Sequence, residues 1–174
     1  NYTLNDKYVF TATFRADGSS KFQDENRWGY FPSFSAAWIL SDENFIKNIE
    51  SISNLKFRAG WGQVGNQAVS PYQTLSGYSA NQYAQAGNGL AIAQFLSNVA
   101  NPSLKWETTV QTNIGLDFGF LNERFTGSIE YYIKETNDLI TLAPIPGSSG
   151  FSRIQTNKGT LASNGLEIAL NNII

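Results

Sequence analysis

The chain has 174 residues, 41% of them hydrophobic and 14% aromatic, with a formal net charge of −2 and no cysteine, histidine or methionine. Those absences exclude a disulfide framework and a thiolate metal site, and they remove the commonest metal ligand and general base, while the slight negative charge gives no basic footprint for nucleic acid. No stretch offers the ~18 uninterrupted apolar residues of a membrane-spanning helix, and with neither an initiating methionine nor a charged segment leading into an apolar one, the chain is expected to be an internal piece of a longer protein without its signal peptide.

Strand-type alternation begins at Tyr8. Tyr8, Phe10, Ala12 and Phe14 take one parity and Thr11, Thr13, Arg15 and Asp17 the other, which places them on opposite faces of a strand. A polar link over 17–29 leads to a second strand, in which Phe34, Ala36, Trp38 and Leu40 alternate with Ser33, Ser35 and Ala37. The next link, 41–53, predicts a short helix, with Ser41 as N-cap ahead of Asp42 and Glu43, and Phe45, Ile46 and Ile49 on one side. The third strand sets Leu55, Phe57, Ala59 and Trp61 against Lys56, Arg58, Gly60 and Gly62.

After a very long link, 65–104, one alternation holds from Lys105 to Phe120. Trp106, Val110, Ile114, Leu116, Phe118 and Phe120 share a parity, with Glu107, Gln111, Asn113 and Asp117 on the other. Soluble strands usually stop at ~5–10 residues. Sixteen residues at ~3.3 Å each, tilted by roughly 40°, rise about 40 Å and would cross the ~25 Å apolar band of an outer membrane. A tight link, 121–124, leads to a fifth strand with Phe125, Ile129, Tyr131 and Ile133 opposite Thr126, Ser128, Glu130 and Lys134, and a long link, 142–156, to a sixth with Leu166, Ile168 and Leu170 opposite Glu167 and Asn171. Charged residues inside the strands fall on the polar parity. Amphipathic strands of a soluble protein share that trait, so a carbohydrate-binding β-sandwich is the rival to a membrane barrel.

Link lengths favour the barrel. Outer-membrane barrels pair long extracellular loops with short periplasmic turns, and here the first, third and fifth links are the long ones. That arrangement places Tyr30, Trp61 and Trp106 at the outer rim and Trp38, Phe118 and Phe120 at the inner one.

Catalytic motifs are poorly supported. Residues 60–65 fit G-x-G-x-x-G, but that motif needs a following helix to receive a pyrophosphate, and Asn66 to Pro71 predict none; glycines giving a strand room near a lumen explain it better. Glu107 and Glu130 would need to lie roughly 5–10 Å apart to act as a glycosidase pair. Asp24-Glu25-Asn26 lacks the spacing of a calcium loop, and the Asn1-Tyr2-Thr3 sequon carries no weight in a bacterial outer-membrane protein. The expectation is a non-enzyme with no cofactor, no metal site and no catalytic residue.

The residues also carry a resemblance. Lys7 to Phe22, Asn26 to Ser33, Ser53 to Gly62 with Gly65-Asn66-Gln67, Asn101 to Glu107, Gly115 to Leu121 and Asn164-Gly165-Leu166-Glu167 resemble, in order, blocks in the barrel region of SusC/RagA-type TonB-dependent outer-membrane transporters. The resemblance implies an all-β fold: about six long antiparallel strands from the later part of a ~22-stranded plugged barrel, with residues 1–174 a partial barrel domain and the plug and signal peptide absent. The ending at Asn171-Asn172-Ile173-Ile174 lacks the terminal aromatic of such barrels, so the native C-terminus is also expected to be missing. It implies a location in the bacterial outer membrane, contact with its lipid, and import of oligosaccharides or peptides driven by the TonB complex through the missing plug, with a SusD-like surface lipoprotein as lid. Arg15, Arg58, Glu107, Asp117, Glu130 and Lys134 are expected to face the lumen. In the 65–104 loop, Tyr72, Tyr78, Asn81, Gln82 and Tyr83 lie among further amides such as Asn88 and combine flat apolar faces with neutral hydrogen-bonding groups that suit sugars or peptide backbones; packing on neighbouring loops or on a partner is the equal alternative.

Overall fold

The computed structural model describes residues 1–85 and 89–173, so that Asn88, counted above among the loop amides, lies outside the described residues. The strands are β1 (Tyr2–Leu4), β2 (Tyr8–Gly18), β3 (Trp28–Ile39), β4 (Ile52–Asn66), β5 (Gly77–Gln85), β6 (Gly89–Asn98), β7 (Glu107–Phe120), β8 (Phe125–Asn137), β9 (Ile140–Pro144), β10 (Arg153–Asn157) and β11 (Thr160–Asn172), the six alternating segments becoming β2, β3, β4, β7, β8 and β11. One seven-stranded sheet has the order β1-β2-β3-β4-β7-β8-β11, and β5-β6 and β9-β10 make two separate hairpins. Every pairing is antiparallel. The wall is therefore an up-and-down meander with hairpins inserted into two of its links.

Those links segregate cleanly. Residues 5–7, 40–51 and 121–124 connect strands at one end, and 19–27, 67–106 and 138–159 at the other. The short ends close with left-handed backbone at Asn5 and Asp6 and at Leu121, Asn122 and Glu123.

Register carries the two-faced character across the sheet. Phe10, Ala36, Ala59, Ile114, Tyr131 and Leu166 follow one another from strand to strand, as do Trp38, Phe57, Leu116, Ile129 and Ile168. Phe10, Phe14, Phe34, Ile114, Leu166 and Ile168 are all exposed on this face. A β-sandwich would bury them under a second sheet, but among the described residues the other sheets are two-stranded hairpins. That is the physical reason the sandwich alternative fails.

Several expectations change in the structure. The wall gains β1, whose three residues are too short to show a period, and the third and fifth links fold into hairpins. The 41–53 helix reduces to a 3₁₀ turn over Leu40–Asp42 with Ile39 at its N-cap and no side-chain cap, followed by turns. Ser41 does not cap because it lies inside that turn, and beyond it the Glu43 carboxylate accepts hydrogen bonds from Trp38 Nε1 (3.1 Å), Tyr8 Oη (2.8 Å) and Lys7 Nζ (3.1 Å). Trp106 is not at the rim. It is buried with Phe22, Phe31, Val69 and Leu104 under the long links, where its ring lies 5.6 Å from that of Phe31 and its indole N–H donates to the Arg27 carbonyl (3.3 Å). Trp61 sits in the body of the apolar face, stacked on Phe34 at 6.0 Å.

The burial of Trp106 has a backbone cause. Pro32, which has no N–H to give, pairs with Phe14 of β2, whereas the β3–β4 ladder reaches only to Ser33 opposite Gly62. Beyond that point β3 and β4 no longer pair with each other, and the Phe31 ring and Trp106 pack at the opening. Gly29 leaves room for them: a Cβ there would come within 2.5 Å of the Phe31 ring, and one at Gly65 closer still.

Three donors on Glu43 give a testable pH response. Hydrogen bonds from Trp38, then Tyr8, then Lys7 hold its carboxyl below the usual value of 4.5 against the opposing effect of burial. Because the folded value is depressed, the clamp's contribution is complete above the ordinary carboxyl value and is lost as pH falls through the lowered one. Hydrogen-exchange protection of the 40–51 amides, relative to their intrinsic rates, is expected to fall on acidification below about pH 4.5 in the native protein. In a Glu43→Gln variant it should stay flat; an unchanged acid response in that variant would assign the effect to another group.

Candidate functional site

The polar face of the wall is built from side chains that alternate with the apolar ones, so its charges line up only where register allows. Lys56 and Arg58 on β4 face Asp117 and Gly115 on β7, and Gly115 in turn faces Glu130 on β8. Lys56 Nζ lies 3.0 Å and Arg58 Nε 3.2 Å from the two Asp117 oxygens, and Arg58 Nη2 lies 2.7 Å from Glu130 Oε2. Asn113 Nδ2 donates to Glu130 Oε1. Gly115 makes this ladder possible, because the Arg58 guanidinium crosses directly over it and a Cβ would meet Cζ at 2.9 Å. Glu167 on β11 stands directly opposite Glu130.

Of the six charged residues expected on this face, Arg58, Asp117 and Glu130 thus form one network. Lys134 shares their parity and lies across from Gln111 and Ser163. Arg15 pairs with Asp17 at 2.9 Å and holds its guanidinium 5.5 Å above the Phe31 ring. Glu107 works at the outer end, accepting from Asn66 Nδ2 (3.3 Å) and from the Ile140 N–H (3.2 Å) at the foot of the β9–β10 hairpin. Register puts Glu107 eight residues along β7 from the level of Glu130, roughly 26 Å at ~3.3 Å per residue. A glycosidase pair is excluded by that separation. Lys56 and Asn113 were legible as polar-parity residues, but their membership in the network depends on cross-strand register that alternation alone does not supply.

At the outer end, three links are stitched together. Lys21 Nζ donates to the Gln67 carbonyl (3.3 Å), Gln23 Nε2 to Thr74 Oγ1 (3.4 Å) and Asn101 Nδ2 to the Gln155 carbonyl (2.8 Å). Asn157 exchanges a pair of bonds with the Lys105 backbone, at 2.8 and 2.9 Å. With the Trp106 cluster beneath them, these links make a platform from which the β5–β6 hairpin projects. Its base is fastened by Gly77 N–H to Asn98 Oδ1 (2.6 Å) and Asn98 Nδ2 to the Leu75 carbonyl (2.9 Å).

The five loop residues do not converge on one patch. Tyr78 and Gln82 share a hairpin face with Leu90, Ile92 and Leu96, whereas Asn81 and Tyr83 share the other with Ala91, Ala93 and Phe95. Tyr72 precedes the hairpin in a turn, at φ 66°. Two faces arise because the segment is a strand pair and not an irregular loop, so neighbours in sequence point apart. The first face is amphipathic in an unexpected direction: Leu90 and Ile92 are 71% and 70% exposed and Tyr78 72%.

A family model described as "TonB dependent receptor-like, beta-barrel" matches residues 1–172. The TonB-dependent receptor SusC of Bacteroides thetaiotaomicron is 42% identical over 98% of this chain, and TonB-dependent receptor P3 of Formosa agariphila is 40% identical over 98%. In each case the chain spans 17% of the length of the curated relative it matches. Among solved structures, the RagAB peptide importer in its closed-closed state superimposes with a TM-score of 0.91 at 28% identity, over 100% of this chain and 19% of that one. The siderophore receptor PirA of Pseudomonas aeruginosa superimposes at 0.60 and 19% identity over 96% of this chain and 28% of its own, a likeness of fold alone.

Proposed function

The chain belongs to the β-barrel family of TonB-dependent receptors, and from that premise we propose that it supplies part of the wall and the outer loops of a transporter importing oligosaccharides or peptides. It is an outer-membrane wall segment, with its apolar face toward lipid and its polar face toward the lumen. The observation that carries this reading is the division of the wall by register into a lipid-compatible face and a face bearing the Lys56–Arg58–Asp117–Glu130 ladder. No water is available in hydrocarbon to solvate such a ladder, so it belongs on the inside. TonB supplies the energy, acting through the plug region of the full-length protein. A SusD-like lipoprotein closes the outer mouth and meets the projecting β5–β6 hairpin, whose exposed Leu90, Ile92 and Tyr78 offer the apolar contact a protein partner buries. The peptide class is favoured by one solved relative, which is a peptide importer.

Removing only the hairpin tests this division of labour. Val69 and Thr74 are buried in the platform, so the replacement must spare them. Exchanging residues 78–97 for a short Gly/Ser linker in the full-length protein is expected to leave barrel assembly and heat-modifiable migration intact while reducing uptake or lipoprotein co-purification. Wild-type uptake together with wild-type lipoprotein association would remove the hairpin from function.

A further inference from the structure

The apolar face of the wall is not evenly filled. Across one level the register runs Phe10, Ala36, Ala59, Ile114, so two small side chains stand side by side between two large ones. On the next level Phe34 and Trp61 are directly paired and stacked, with ring planes 21° apart, and rise over the same spot. The result is a groove of about 630 Å³ floored by Ala36 and Ala59 and walled by Phe34, Trp61, Phe10 and Ile114, with Asn1 and Tyr2 bounding it on the β1 side. That volume lies within the range of small-molecule sites, roughly 300–1,000 Å³.

We propose that this groove seats one acyl chain of a phospholipid from the periplasmic leaflet. The inference rests on the reading of the sheet as outer-membrane wall with the 40–51 link on the periplasmic side. No charged residue lines the groove, so it recognises hydrocarbon and not a headgroup. A second barrel is a poor occupant, since two convex walls touch along a line and a neighbouring wall does not reach a floor set below aromatic rims. A single flexible chain does, and there it recovers the dispersion contacts that a void between rings forfeits. Depth selects the leaflet. The Tyr8–Trp38 stack, with centroids 6.0 Å apart, marks the inner end of β2 and β3, and the groove begins two residues above it. At ~3.3 Å per residue and roughly 40° of tilt, two to four residues place it about 5–10 Å above that aromatic belt, in the half of the membrane built of phospholipid.

The test uses the full-length transporter in phosphatidylethanolamine/phosphatidylglycerol vesicles doped with a phosphatidylethanolamine carrying a diazirine in one acyl chain. Photolysis is expected to give several-fold more adduct on peptides containing Ala36 and Ala59 than on those containing Ile129 and Ile168, two large side chains paired with each other on the same face. Ala36→Leu combined with Ala59→Leu fills the floor and is expected to bring the first yield down to the second, with heat-modifiable migration confirming the fold. Equal labelling of the two regions in the native protein would overturn the groove while leaving the membrane wall intact. Labelling of neither would overturn the membrane reading and the groove with it. The native comparison stands even if the double variant does not fold.

Discussion

Leu116→Arg in the full-length barrel is expected to destabilise the folded, inserted state by ~1–3 kcal/mol, whereas Ser128→Arg is expected to be near-neutral. The two positions are close in depth and opposite in face. Leu116 pairs with Ile129 on the apolar side, and Ser128, one residue earlier, pairs with Asp117 on the polar side. An arginine at 116, level with Trp38, projects a cation into the hydrocarbon just inside the inner aromatic belt, with only partial relief from reaching toward a headgroup. An arginine at 128 enters a wet face where water solvates it, beside an Asp117 already held by Lys56 and Arg58. Reversible urea titration of folding into liposomes measures both. Equal costs, or a larger cost at 128, would reverse the assignment of faces.

Residues 1–174 expressed alone are expected not to form a stable membrane-inserted monomer. The sheet order ends at β1 on one side and β11 on the other, leaving two rows of backbone N–H and C=O groups without partners. Each such group costs several kcal/mol in lipid when unsatisfied, and β11 alone presents a thirteen-residue edge. Closure of the barrel removes those edges. Heat-modifiable migration with protease protection of the isolated segment in liposomes, as a monomer, would contradict this expectation.

The wall was legible because its information is local. Alternation along 105–120 or 8–16 is a property of one strand, and a strand with one apolar face declares itself without its neighbours. Link lengths likewise sorted the two ends of the sheet. What escaped was set by contacts between distant residues. Trp106 keeps the parity of Ile114 in sequence, yet it falls just before β7 begins and turns under the loops, because Pro32 ends the β3–β4 ladder and leaves space there. Lys56 and Asn113 carried the right parity, but only register shows that Arg58 reaches across Gly115 to join Asp117 with Glu130. Tyr78 and Tyr83 looked like parts of one polar surface until strand pairing sent them to opposite faces. The Glu43 clamp was hidden too, since its three donors come from two strand ends and compete with the helix that the 41–53 pattern suggested.

Topology across the membrane is the central claim, and the absence of cysteine from this chain makes it directly measurable. In the full-length protein on intact cells, with any background from elsewhere in the parent subtracted, a membrane-impermeant maleimide is expected to label Asn81→Cys on the β5–β6 hairpin. Glu50→Cys in the 40–51 link is expected to react only after the outer membrane is permeabilised. Labelling of position 50 on intact cells, with position 81 protected until permeabilisation, would contradict the account.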